Sequence, residues 1–301
     1  MMSTVSQASS GTGLRHRRRG HSVLCSGLAL LAACATQQSK TTESARTEVA
    51  PVAVTLEPIR QDLEFKLDAG QSVLIDNPYG SVLLRFGGYE HALGLHTTLQ
   101  QPATAAAIEF SPHAVDGHFE IAPRLPSAAM LAAGQRFDIV AYVPQHHAVR
   151  VRTLDGTIES RGLQSDLDMA SVSGALAARG STGGVQAESE SGSIEVAFAE
   201  RAPAGSRQRL ATRTGAIIVG VTDALDAEVR LATSAPFTTD YSLEVAHHAG
   251  AEPNKSAQAH IGKPDPAQPA VLELHSLRGD IRLLRRAVYV DAPIATPAPS
   301  G

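Results

Sequence analysis

The chain has 301 residues, 43% of them hydrophobic and 19% charged, enough for one sizeable core or at most two domains. A formal charge of −4 argues against a nucleic-acid binder, and two cysteines, Cys25 and Cys34, exclude a disulfide scaffold and a cysteine-rich zinc module. Aromatic residues amount to only 4%, with no Trp, while 25 Gly and 17 Pro announce many turns.

Arg15, Arg17, Arg18 and Arg19 form a basic cluster ahead of an apolar run from Val23 to Ala33. The run has the length of a signal h-region and is too short to cross a bilayer as a helix. It ends Leu31-Ala32-Ala33-Cys34. Basic region, apolar run and Leu-Ala-Ala-Cys, in that order, resemble the leader and lipobox of bacterial lipoproteins. The resemblance implies a diacylglycerol thioether on Cys34 and cleavage just before it, so that residues 1–33 are a signal peptide. The plain alternative is a buried helix that happens to contain Cys34. The leader holds four Arg and no acidic residue, so its removal makes the chain more acidic and takes Cys25 away. Ala35 stands where an Asp usually retains such proteins at the inner membrane of Gram-negative cells. The expected location is therefore the bacterial cell envelope, lipid-anchored, at the outer membrane.

Residues 34–56 are mostly polar and lack apolar periodicity, which predicts a flexible tether. About 20 residues of such chain reach roughly 25 Å on average. At the other end, residues 291–301 are rich in Pro and Ala and are expected to be disordered.

Between these lies a repeat. Residues 153–197 divide into five nonapeptides, TLDGTIESR, GLQSDLDMA, SVSGALAAR, GSTGGVQAE and SESGSIEVA. Their fourth positions are Gly156, Ser165, Gly174, Gly183 and Gly192. Their sixth positions, Ile158, Leu167, Leu176, Val185 and Ile194, form a candidate core ladder. Nine of the ten residues at positions six and eight are apolar, while the intervening positions hold no large apolar side chain. That period of two predicts half-buried strands, not helices. The glycine before each strand is expected to adopt a turn conformation closed to residues with a Cβ. A short strand and a tight turn every nine residues bury an apolar face only by stacking on the next unit. Two nonapeptides make a coil of about 18 residues, unless the units pair differently. Looser copies centre on Gly80, Gly215 and Gly279, and Thr233-Ser234-Ala235-Pro236-Phe237 reads as a copy that has lost its glycine.

The predicted fold is all-β: a single domain over 57–290, a parallel β-helix-like solenoid with nine-residue half-coils. A β-sandwich with similarly spaced turns is the alternative. Residues 246–270, rich in Ala, Pro, Gly and His, are expected to be a surface excursion. Phe137 to Val143, Pro144, and Val149 to Ile158 resemble the DUF4097 putative-adhesin family, whose element Thr/Ser-x-Ser-Gly-Asp-Ile follows a Val-Pro strand. Leu231 to Ser234, Thr238 to Tyr241 and Gly279 to Leu283 are similar to it too. The resemblance spans about 70–290. It implies a β-helix or β-roll-like domain on a cell-envelope protein and does not imply a catalytic residue; no cofactor is expected. Asp155 and Ala235 depart from the family's Ser and Gly.

Several polar groups invite a chemical reading. Asp155, Asp166, Asp168 and Asp280 do not recur at one repeat position, as a calcium-binding solenoid requires. Asp166, Asp168 and Glu159 are candidates for one catalytic face. Histidine occurs as His91 and His96, His113 and His118, His146-His147 and His247-His248. Adjacent histidines on a strand point to opposite faces, so neither doublet is a ready metal site, and solvent exposure is expected for them. Arg278, Arg282, Arg285 and Arg286 suit either an anionic contact or a solvated end coil. The expected function is a lipid-anchored envelope β-solenoid with a binding, adhesion or structural role and no catalysis. Its partners are the membrane, through the lipid, and envelope polysaccharide or protein, not nucleic acid. The alternative is a polysaccharide-active β-helix enzyme, a lyase or a hydrolase.

Overall fold

The structure, a computed structural model, describes residues 57–89, 91–198 and 201–286. The expected signal peptide, the expected lipobox residues Leu31, Ala32 and Ala33, the expected lipidation site Cys34, the expected tether and the 291–301 segment lie outside the described residues. The chain divides into two units, Met1–Val52 and Ala53–Gly301, and every described residue belongs to the second.

That unit is all-β. It begins with β1 (Ile59–Lys66), β2 (Ser72–Asn77), β3 (Val82–Phe86), β4 (Ala92–Gln100), β5 (His113–Val115), β6 (His118–Ile121) and β7 (Arg136–Val143). The repeat block supplies β8 (Val149–Thr153), β9 (Ile158–Arg161), β10 (Leu167–Ser171), β11 (Leu176–Arg179), β12 (Val185–Ser189) and β13 (Ile194–Phe198). Then come β14 (Arg207–Thr212), β15 (Ile217–Val221), a 3-10 turn (Asp223–Leu225), β16 (Ala227–Thr233) and β17 (Phe237–Thr239). The last strands are β18 (Glu244–His247), β19 (Lys255–Ile261), β20 (Ala270–Ser276) and β21 (Ile281–Arg285).

They form two large mixed sheets. The first has 10 strands in the order β1-β4-β7-β3-β9-β11-β13-β15-β21-β17. The second has 11, in the order β18-β19-β16-β20-β14-β12-β10-β8-β2-β6-β5. Through the repeat block, consecutive strands belong to different sheets, and each pairs in parallel with the strand two along. Leu176 stands opposite Ile158 and Ile194, and Leu167 opposite Val149 and Val185, a register step of 18 residues. The sixth-position residues thus divide into two ladders, Ile158–Leu176–Ile194 in the first sheet and Leu167–Val185 in the second. All five are at most 1% exposed and join one hydrophobic cluster fed by both sheets. Each such side chain contributes about 1.5–3 kcal/mol through burial.

The corner after each second-sheet strand explains the glycines. Gly80, Gly156, Gly174, Gly192, Gly215 and Gly279 stack along this corner, and a Cβ on each of the last five would overlap the carbonyl oxygen of the glycine before it. At Gly80 the obstacle is the Phe137 carbonyl, and at Gly183, on the opposite corner, that of Ser165. None of the seven has a left-handed backbone, so the expectation of a special turn conformation is corrected. Close approach of stacked turns is the reason. Left-handed glycines, Gly162 and Gly180, sit instead on the opposite corner. Buried hydroxyls pin the glycine corner. Ser171, Ser189, Thr212 and Ser276 each accept the N–H of the glycine three residues on, at 2.8–3.1 Å. Thr233, in the copy without glycine, donates to the Gly279 carbonyl at 2.8 Å.

The ends of the sheets are built differently. β1, β4 and β7 pair antiparallel, as do β5 with β6, and β19 with β16 and β18. The expected 246–270 excursion is corrected here: Ala257, Ala259 and Ile261 of β19 are buried in the core. Alanine at the inward positions makes its alternation too weak to read as a strand. At the other edge, β1 carries exposed Arg60, Asp62, Glu64 and Lys66, charges that discourage pairing with another chain.

Candidate functional site

With the inward positions filled by aliphatic ladders, the outward positions of both sheets are what the molecule presents. In the second sheet, Arg150, Asp168, Gln186, Arg209 and Glu273 fall in one register row across five strands. Arg150 meets Asp168 at 2.8 Å, and Glu273 receives Arg207 at 3.0 Å and Arg209 at 3.8 Å. A parallel row holds Arg152, Ala170, Glu188, Ala211 and His275. Among the described residues, neither Arg152 nor Glu188 forms an ion pair.

Two open clefts follow these rows. One, of about 640 Å³, is floored by Gly184 and walled by His118, Arg150, Asp166, Asp168 and Arg207. The other, of about 850 Å³, has Ala170 and Ala211 on its floor, with Leu154 and Val172 at one rim. Small residues at every second strand create the depression, because longer side chains stand on either side. Such clefts suit an extended polar chain that makes many weak contacts.

The acidic candidates do not converge. Asp166 and Asp168 line the smaller cleft, but Glu159 belongs to the first sheet, which corrects their grouping on one face. Successive nonapeptides alternate between sheets, so residues from neighbouring units look outward from different sheets. Asp166 accepts the Gly184 N–H at 2.8 Å, and Asp168 is held by Arg150. Asp155 stands in the corner turn between β8 and β9. Asp280 pairs with Arg282 at 2.7 Å.

Of the C-terminal arginines, Arg278 pairs with Glu252 at 2.6 Å, and Arg285 stands 5.0 Å from the centre of the Tyr241 ring. Burial pushes the Tyr241 hydroxyl above its usual range, and Arg285 opposes that shift.

Histidine departs most from expectation. His147 is fully buried: its Nδ1 donates to the Gln71 carbonyl at 2.7 Å and its Nε2 lies 2.9 Å from His91 Nδ1. A carbonyl only accepts, so neutral His147 carries its proton on Nδ1, and its bare Nε2 accepts a hydrogen bond from His91 Nδ1–H. This pair ties the turn before β2 to the loops before β4 and β8. Sequence reasoning placed His91 with His96 and missed its real partner. His248 Nε2 lies 2.8 Å from Ser256 Oγ on the exposed β18–β19 hairpin. Among the described residues no acceptor orients its Nδ1, so the pair lacks the third member of a nucleophile relay there. Among the described residues, no three His, Cys, Asp or Glu side chains gather to hold a metal ion.

No family model matches the chain, and no curated protein matches it. Solved structures similar to it include a putative cell adhesion protein from Clostridium sporogenes. That protein is 9% identical over 76% of this chain and 100% of its own, with a TM-score of 0.42. A putative adhesin from Bacteroides fragilis is 12% identical over 76% of this chain and 97% of its own, with a TM-score of 0.40. Another, from Parabacteroides merdae, is 8% identical over 76% of this chain and 96% of its own, with a TM-score of 0.27. Likeness at these TM-scores bears on neither activity nor partner.

Proposed function

We propose that residues 57–290 are a β-solenoid of 18-residue coils of the DUF4097 type. In this reading the chain is an envelope lipoprotein, anchored through Cys34 at the outer membrane, that binds or adheres and does no catalysis. One observation carries the binding role: the outward side chains fall in straight rows across successive coils. They face two open clefts lined by alternating charged and small residues. A surface of that kind recognises a repeating partner through many contacts, each weak. The 18-residue register and the alternation between sheets support the solenoid.

The test is a pull-down of envelope glycans and proteins with the full chain, alongside incubation with acidic polysaccharides. Retention of one envelope component without turnover is expected. Turnover that is lost on Asp166→Asn or Asp168→Asn would establish the lyase or hydrolase instead. Anchoring is tested separately. In this reading the Cys34 sulfur is the nucleophile that takes the diacylglyceryl group as a thioether, displacing the lipid's phosphate headgroup, and a hydroxyl does not replace it. Cys34→Ser should leave an unprocessed or soluble chain on fractionation. A mature, membrane-bound Cys34→Ser protein would sink the anchor.

A further inference from the structure

The first sheet presents an outward row with its own chemistry. Tyr142, Arg85, Arg161 and Arg179 stand directly in register on β7, β3, β9 and β11. Adjacent strands lie about 4.8 Å apart, so three arginines leave the sheet from successive strands at that backbone spacing. Like charges opposite one another across strands repel and normally need compensation.

Compensation comes from the neighbouring row, and it is incomplete. That row reads Leu83, Glu159, Ala177 and Glu195. Glu159 is shared, taking Arg85 at 3.3 Å and Arg161 at 2.5 Å. Glu195 takes Arg179 at 2.8 Å, and this bond holds the Arg179 guanidinium more firmly protonated than usual. Where a third carboxylate would complete the pattern, the chain has Ala177. Three guanidiniums therefore share two carboxylates, and each guanidinium has five donors in a fixed fork. Beyond Arg179 the row continues with the small Ala197 and Gly220, and the Arg286 side chain lies over Gly220.

At the other end of the row stands an aromatic ring. Tyr142 is 37% exposed, and His96 meets it edge-on at 5.3 Å. The ring passes beside Gly87 and Gly94, which have no side chains to cover it. An aromatic surface in line with arginines on successive strands combines stacking on a sugar ring with pairing to a carboxylate. A single small anion would use one guanidinium pair; the row suits a polymer whose charge repeats.

We propose that this row, Tyr142 with Arg85, Arg161 and Arg179, binds a linear acidic polysaccharide, and that the missing carboxylate at Ala177 leaves the row with the excess positive charge that draws it. This deepens the binding role inferred above and rests on it, but on a different face from the two clefts.

The test measures affinity of the full-length protein for polygalacturonate, with neutral pullulan as the control, at rising salt. Wild type should bind polygalacturonate at least tenfold more tightly than pullulan, and the preference should fade as salt screens the row. Ala177→Glu adds the third carboxylate without removing an arginine, and should weaken binding tenfold or more. Ala177→Gln, of the same length and no charge, should stay within twofold of wild type. Arg161→Gln removes a guanidinium by another route and should reproduce the loss, with thermal melts showing both variants folded. Equal binding by wild type and Ala177→Glu would overturn the proposal, as would no preference over pullulan. So would binding to phosphatidylglycerol vesicles with none to polygalacturonate, which would make the row a lipid contact. If the pull-down retains an envelope component while polygalacturonate fails, the binding role stands and the row falls. If polygalacturonate binds through the row and is cleaved, the row stands and the non-catalytic reading falls.

Discussion

Gly174 and Gly180 are both corner glycines of one coil, and they are glycine for different reasons. At Gly174 a Cβ would overlap the Gly156 carbonyl oxygen in the coil before it, although the backbone conformation is open to any residue. At Gly180 the nearest atom to an added Cβ is 3.8 Å away, but φ is +67°. Gly174→Ala must therefore force two stacked turns apart, and should cost about 3 kcal/mol or more. Gly180→Ala meets only the left-handed penalty, about 1–2 kcal/mol. Denaturant unfolding of the two variants separates the causes. A larger loss at Gly180 would mean that conformation, not close approach, governs the glycine corner. The repeat makes the glycine positions legible in the sequence. It does not show their reason, because close approach depends on which coil lies against which.

Strands expose a sharper contrast between neighbours. Leu176 is 1% exposed, between Ile158 and Ile194 in its ladder, while Ala177 looks outward between Glu159 and Glu195. Leu176→Asp places an unpaired carboxylate in a dry stack and should cost about 4 kcal/mol or more. Ala177→Asp changes a surface position flanked by Arg161 and Arg179, and should stay within about 0.5 kcal/mol. Thermal melts that show equal losses would refute the strand register. This register is legible in the repeat block because Ile, Leu and Val alternate there with Asp, Glu and Gln. It fades in β19, where Ala257 and Ala259 fill the inward positions. It is silent on His147, whose partner His91 is 56 residues away. The arginine row is equally invisible to a local reading, since Arg85 and Arg161 become neighbours only when β3 pairs with β9.

For the whole molecule, the two corners of a coil are unlike. One carries the buried Ser or Thr with a close-packed glycine three residues on, and the other carries the left-handed Gly162 and Gly180 beside the close-packed Gly183. The register therefore repeats every 18 residues, although the sequence repeats every nine. Outward rows, clefts and the arginine row all depend on that register, because a half-coil shift would move each row to the other sheet. Deleting Val172 to Ser189 removes one coil and brings Ser171 into the place of Ser189, so like corners still stack. Deleting Val172 to Gly180 removes half as many residues but sets the Ser189–Gly192 corner against the Gly162 corner. In an array stabilised by nearest-neighbour interfaces, the mismatched seam costs more than a missing unit. The most direct measurement is the thermal melting of these two deletion proteins side by side. The 18-residue deletion should keep a cooperative transition and melt at the higher temperature. A nine-residue deletion that melts as high or higher would contradict the coil and the surface built on it.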